Sequence, residues 1–314
     1  MNFVEATPET IARAAELLRS GRLVAFPTET VYGLGANALD AAAVERIYAA
    51  KGRPAKNPLI VHVAGSAEVL ALIAEWPEMA QKLAAVFWPG PLTLVVRKSS
   101  LVPENVTAGG STIAIRSPNH PVAQALLKAA GVPIAAPSAN CSGQLSPTTA
   151  KHVLESLGER VDLILDGGPC PGGLESTVLD LTGSAPRLLR PGLITVTQIE
   201  EIVGRVEIAM ETEGALPSPG LLAKHYSPHT ALECAATTEE AGFLVNLYET
   251  AGLKVAKYEL GNDPFSASAK LYAELHSLDR GGFDRIIVTL PPETEAWRAI
   301  RDRLTRAAAE EESP

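Results

Sequence analysis

The sequence predicts an α/β protein in two parts, a larger domain built on a mixed sheet and a smaller one built on a parallel sheet. Three observations carry that expectation. Short apolar runs alternate irregularly with amphipathic stretches as far as about residue 208, a polar Pro- and Gly-bearing segment interrupts them, and beyond it three apolar runs alternate regularly with three helical ones. The 314 residues, 46% of them hydrophobic, suffice for one large core and a smaller one.

Thr7-Pro8 is a helix start, and Ile11, Ala14, Ala15, Leu17 and Leu18 give the helix an apolar face before Gly21 ends it. Leu23 to Phe26 reads as a strand stopped by Pro27, which delivers the polar turn Thr28-Glu29-Thr30 and then Gly33 and Gly35. Asp40 caps a second helix, with Val44, Ile47 and Tyr48 on one face, that runs out at Lys51-Gly52-Arg53-Pro54. Further strands are expected at 59–63, 92–96, 112–115, 132–136, 161–165 and 176–181, and helices at 66–85, 120–130 and 148–157. The stretch from Glu211 to Gly220 carries two prolines and two glycines and marks a linker, drawn at 209–230, between domains of residues 1–208 and 231–314. Past it, strands at 230–235, 254–259 and 284–289 alternate with helices at 238–251, 265–279 and 294–308, the pattern of a small parallel sheet with covering helices.

A net charge of −9 and a pI near 5.3 disfavour a broad surface for polyanions, although a local basic pocket stays compatible with them. MNFVEATPET lacks the basic-then-apolar pattern of a signal peptide and no run is long enough to span a bilayer, so a cytoplasmic protein without membrane contact is expected. Cys141, Cys170 and Cys234 form no CxxC pair and no Cys/His zinc pattern, and read as small buried hydrophobes. His225 and His229 have zinc-like spacing, but Pro228 breaks the helix that would align them.

Four clusters carry chemistry. Lys51, Arg53 and Lys56 crowd one turn, with Asn57 and His62 following; such cations repel unless an anion such as a phosphate joins them, the alternatives being a solvated basic loop and, for His62 in its apolar strand, a satisfied core histidine. Arg116 ends an alternating apolar strand, where its fork suits a substrate carboxylate or phosphate, or else a protein Asp or Glu in a structural ion pair. Ser138, Asn140, Ser142, Gly143 and Ser146 lie in a small-residue loop that either cradles phosphates or is an ordinary turn. Ser176, Thr177 and Arg190 follow a glycine-rich stretch and are weak signals singly, and neither GxxxxGK[ST] nor GxGxxG occurs.

In order, PTETVYGLGANA, KGRPAKNPLIVHV, WPGPLTLVV, STIAIRSP, APSANCSGQLSPT and ESTVLDL resemble the YrdC-like threonylcarbamoyl-AMP synthases from about residue 8 to 205. The family's Lys-x-Arg and Ser-x-Asn signature stands as Lys51-Gly52-Arg53 and Ser138-Ala139-Asn140, and PSPGLLAKHYSP with the segment after it resembles the two-domain form. The resemblance implies an open, twisted mixed-sheet YrdC-like domain, a linker folding over the active site, and a small Rossmann-like C-terminal domain. It implies that L-threonine, bicarbonate and ATP give threonylcarbamoyl-adenylate and pyrophosphate, for modification of the adenosine beside the anticodon of tRNA by a separate transfer complex. It leaves direct tRNA contact open. It assigns Thr30, His62, Arg116, Ala136 and Ser176 to threonine, Arg53, Asn57, Thr112, Ser138, Ser146, Arg190 and Tyr226 to ATP, and Lys51, Arg53 and Asn140 to catalysis. Mg²⁺ is expected to arrive with ATP, with no tightly bound cofactor and no metal cage of the protein's own. The proton acceptor stays open among bicarbonate-derived species, water and His62. Two other readings are an RNA-binding translation factor and the carbamoyl-adenylate chemistry of hydrogenase-maturation carbamoyltransferases, whose zinc-finger cysteines and acylphosphatase-like part have no counterpart here.

Overall fold

The computed structural model describes residues 2–209 and 225–309. The Thr7 hydroxyl caps α1 (Pro8–Arg19) in a reciprocal box with Thr10, and Asp40 caps α2 (Ala41–Lys51) by accepting from the N–H groups of Ala42 and Ala43, both at the predicted positions. Among the described residues, eleven strands form one mixed sheet. They are β1 (Phe3–Glu5), β2 (Val24–Phe26), β3 (Gly33–Asn37), β4 (Ile60–His62), β5 (Leu92–Arg97), β6 (Thr112–Arg116), β7 (Ile134–Ala135), β8 (Leu163–Asp166), β9 (Thr177–Asp180), β10 (Arg187–Arg190) and β11 (Glu207–Ile208), in the order β1-β8-β2-β3-β7-β4-β6-β5-β9-β10-β11.

One face of this sheet is covered throughout. Val61, Ile113, Ile115, Leu94 and Ala135 point into a core with α2, α3 (Glu78–Phe87), α5 (Ala150–Leu157) and α6 (Val196–Val203). The opposite face is covered over only half its width, where α1 and α4 (Pro121–Ala130) pack Leu18 and Leu126 on Val24, Phe26 and Ile134. The uncovered half lies over β4, β6 and β9. Because strand side chains alternate, Ile60 and His62 share that face with Ala114 and Arg116, and the register sets His62 directly opposite Arg116. An uncovered sheet half thus receives the two most polar residues of its central strands.

The second sheet is parallel, with β12 (Ala231–Ala235), β14 (Arg285–Thr289) and β13 (Val255–Tyr258) in that order. Ile287 faces α7 (Thr238–Thr250), whereas Ile286 and Val288 face α8 (Pro264–Asp279) and α9 (Arg298–Ala308), which explains why the centre of β14 reads as an unbroken apolar run. The core under α8 and α9 continues into the larger sheet's loops through Val31, Leu145 and Leu174.

Several expectations need correction. The helix expected at 66–85 is a short 3-10 turn at 66–71 and then α3, because Pro77 has no N–H to continue a helix and sits extended at the start of α3. β1, β3, β10, β11 and α6 were not anticipated; β3 hides behind its glycines, and Gly35 is required there because a Cβ would stand 2.8 Å from Phe26 and from Ile134. Cys170 is buried, but Cys141 and Cys234 are only half-buried. Most of the linker drawn at 209–230 lies outside the described residues. No helix among the described residues is long and apolar enough to cross a membrane.

Candidate active site

The uncovered half-face closes into a cavity lined by Thr30, Arg53, His62, Arg116, Ala136, Ser138, Ser176, Arg190 and Tyr226, all named from the sequence, together with Thr28, Val31, Gly33, Ile60, Pro137, Glu175 and His225. β4 and β6 bring His62 and Arg116, the turn after β2 brings Thr28 and Thr30, and the start of β9 brings Ser176. Tyr226 and His225 reach the cavity from the beginning of the second described segment, just before β12. The free space left is about 40 Å³. Small-molecule sites usually measure roughly 300–1,000 Å³, so this space is well below that range.

Arg116 is the centre of the first wall. Its Nη2 donates to Glu29 Oε2 at 2.8 Å and its Nη1 to Thr30 Oγ1 at 3.0 Å. The structural ion pair weighed from the sequence therefore exists, but it is unfinished: Arg116 Nε and Glu29 Oε1 are buried without a partner. His62 Nδ1 is likewise unpartnered, and burial together with the nearby Arg116 charge pushes this histidine's pKa down to about 3. The imidazole is neutral at pH 7.

On the second wall, Arg190 donates through Nε and Nη2 to Ser176 O at 3.2 and 3.0 Å, and Ser176 Oγ shares a 2.7 Å hydrogen bond with Thr93. Arg53 donates to Asn57 O at 3.1 Å and Pro58 O at 2.8 Å, and burial lowers its pKa to about 10. The side-chain amide of Asn57 itself is buried with neither atom bonded. His225 Nδ1 and the Tyr226 hydroxyl are also unpartnered, and Tyr226 sits at a φ of 63°, a region L side chains rarely occupy.

Each unpartnered buried polar atom costs about 1–3 kcal/mol, so a natural protein rarely gathers several in one place unless a ligand, an ion or ordered water completes them. Among the described residues they gather on cavity-lining side chains or on Glu29, Asn57 and Asn140 in the turns that hold them, with Asn105 Oδ1 the exception.

Other residues named from the sequence stand behind the walls. Lys51 Nζ donates to Ser138 O at 2.6 Å and to Asn140 O, and burial with the adjacent Arg53 lowers its pKa well below that of a free lysine. It does not line the cavity. The Lys-x-Arg and Ser-x-Asn motifs are coupled by this ammonium, which ties the end of α2 to the loop presenting Ser138. The Asn140 amide bonds Cys141 O and Gln144 O inside that loop. Ser146 donates to Glu175 Oε1 at 2.5 Å, and Thr112 shares the face of Arg116 at the far end of β6.

The residues not foreseen are Glu29, Glu175, His225, Tyr272 and Arg303. Glu29 was visible as the carboxylate inside PTET, whereas nothing in the sequence links Glu175 to Arg303 so far along the chain.

Two sequence families match. One, described as telomere recombination, covers residues 16–192, and one described as threonylcarbamoyl-AMP synthase, C-terminal domain, covers residues 194–309. The chain is similar to the threonylcarbamoyl-AMP synthase of Bacillus subtilis, at 43% identity over 98% of this chain and 96% of the relative, and to that of Schizosaccharomyces pombe, at 35% over 96% and 89%. Its structure is similar to that of Pyrococcus abyssi Sua5 complexed with L-threonine, with a TM-score of 0.92, 40% identity, and coverage of 98% and 96% of the two chains.

Proposed function

The chain belongs to the threonylcarbamoyl-AMP synthase family, and on that premise we propose that its cavity joins L-threonine, bicarbonate and ATP into threonylcarbamoyl-adenylate with release of pyrophosphate. The observation that carries the substrate reading is the unfinished Arg116–Glu29–Thr30 group. A threonine carboxylate completes Arg116 through Nε, and the α-amino group finds an acceptor in Glu29 Oε1 or His62 Nδ1.

The chemistry requires the threonine amine to attack bicarbonate, forming an N–C bond and releasing water to give a carbamate, whose oxygen then attacks the α-phosphorus of ATP and displaces pyrophosphate. Two anions must approach each other in a small space. Arg53 and Arg190 offset their repulsion and stabilise charge on the phosphates, and the fixed walls supply orientation. Ser138, held by Lys51 through its carbonyl, offers its hydroxyl to the same phosphates; Asn57, Ser146 and Thr112 are assigned to the nucleotide, and Ala136 and Ser176 to threonine. Lys51 and Asn140 act as positioning residues behind that wall. His62, with its pKa near 3, serves as a neutral hydrogen-bond partner rather than a strong base, which favours water or a bicarbonate-derived species as proton acceptor.

Glu175 is the one carboxylate among the described lining residues, and its oxygens are already bonded, so Mg²⁺ would enter with the triphosphate and be held by phosphates and water. The domains divide at 208 and 231, with the intervening tether carrying Tyr226 over the nucleotide; cutting it should weaken ATP use while leaving the larger domain folded. The product passes in the cytoplasm to a tRNA-modifying transfer complex that installs the group beside the anticodon.

The test is pyrophosphate release with each substrate omitted in turn. Release that needs threonine, bicarbonate and ATP together supports the proposal. Release without threonine, or salt-sensitive RNA binding with no turnover, contradicts it.

A further inference from the structure

One buried ion pair joins a loop of the larger sheet to a helix packed on the smaller sheet. Arg303, on α9, is 1% exposed and donates through Nε to Glu175 Oε2 at 2.7 Å, through Nη2 to Pro191 O at 3.0 Å and through Nη1 to Asp302 at 2.5 Å. The Tyr272 hydroxyl, on α8, lies 3.1 Å from both oxygens of Glu175, and the Ser146 hydroxyl donates to Oε1. The Arg303 guanidinium also lies 5.1 Å from the centre of the Tyr226 ring, and the Tyr226 and Tyr272 rings are 6.0 Å apart. The contact is tight along the chain leading to Glu175: at Gly173, with φ 71°, a Cβ would stand 2.3 Å from Ser268 O and 2.7 Å from Ala269 Cα of α8.

We infer that α8 and α9 supply two positioning residues, Tyr272 and Arg303, which hold Glu175 and Tyr226 and keep the nucleotide side of the cavity receptive to a triphosphate. The inference rests on the reading of this cavity as an ATP site.

A carboxylate is an odd choice for a wall facing phosphates, because like charges in a water-poor cavity repel strongly. Arg303 removes the difficulty by neutralising Glu175 from behind. Both acceptor oxygens then have protein partners, and Glu175 becomes a rigid bracket that fixes the Ser146 hydroxyl and, with Arg303 over it, the ring of Tyr226. The burial of Glu175 would raise its pKa, but Arg303, Arg190 and the Ser146 hydroxyl outweigh that and bring it down to about 2, so the bracket stays charged and paired at any working pH. The second domain thereby becomes part of the first domain's site without reaching the substrate itself.

The test uses the full chain and calorimetric titration of α,β-methylene-ATP and of L-threonine, with thermal melting in parallel. Arg303→Gln should weaken analogue binding about tenfold or more while threonine affinity stays within about twofold, and Glu175→Gln added to it should restore most of the loss by removing the exposed charge. Tyr272→Phe, which keeps the ring and loses only the hydroxyl, should cost about threefold with little change in melting, and it carries the test should Arg303→Gln fail to fold. Wild-type analogue affinity in folded Tyr272→Phe and Arg303→Gln chains overturns the inference, as does a double variant no better than Arg303→Gln alone. A wild-type chain that binds no analogue overturns the nucleotide reading of the cavity itself, and the inference with it.

Discussion

Two buried Arg–Glu pairs flank the cavity, and they differ in one respect. Arg116–Glu29 and Arg303–Glu175 are closed at 2.8 and 2.7 Å and both are almost wholly buried. In the second pair, each nitrogen of the guanidinium and each oxygen of the carboxylate has a protein partner. In the first pair, Arg116 Nε and Glu29 Oε1 have none. A complete pair acts as scaffold, whereas an incomplete one is paid for only when something else binds. On the function proposed above, the same residue types at nearly the same separation serve opposite ends, and the unmade hydrogen bonds tell them apart.

The comparison breaks most readily at Arg116. Arg116→Gln removes a charge-assisted fork and strands Glu29, so threonine affinity should fall about 100-fold while affinity for an ATP analogue changes by less than about threefold, as measured by calorimetry. Glu29→Gln leaves Arg116 charged but removes the acceptor facing the amino group, and should cost about tenfold in threonine affinity. Equal losses for threonine and nucleotide in either variant would mean that the pair is scaffold after all.

The two pairs also sit among groups that titrate differently. His62 and His225 have pKa values pushed down to about 3, chiefly by burial, and Glu175 is held at about 2. The unfolded histidines take up protons near pH 6.5 while the folded ones stay neutral, so stability is lost as the pH falls from about 6.5 towards 3. Glu175 stabilises above its unfolded pKa near 4.5, and that stabilisation is lost only between about pH 4.5 and 2. Melting temperature should therefore decline from pH 6.5 downward in a histidine-dominated limb, and His225→Gln should flatten it. A decline that begins only below pH 4.5 would contradict the neutral assignment.

The smallest effect is expected at a helix cap that belongs to neither pair. Thr195 caps α6 through the Gln198 N–H, and Thr195→Ala should cost about 1 kcal/mol of stability with threonine and nucleotide affinities unchanged.

The legible parts of this molecule were those whose cause is local. Thr7 and Asp40 announce helix starts by residue type, and Arg116 stood out because a charge ends a strand of alternating apolar residues. Pro77 was equally visible, yet the apolar periodicity on either side of it masked the break. Lys51 illustrates a different limit: its position at a helix exit suggests a phosphate ligand, but only the fold reveals that its ammonium is spent on two carbonyls of the Ser138 loop. Glu175 and Arg303 are furthest from being readable, since 128 residues separate the two partners in sequence.

The most direct measurement of the central claim is a paired titration of L-threonine and L-threoninol, which lacks the carboxylate, into the wild-type chain and Arg116→Gln. The account predicts that the wild-type chain prefers threonine by about 30- to 100-fold and that the preference largely disappears in the variant. A preference that survives the loss of Arg116 would place the carboxylate elsewhere and contradict the account.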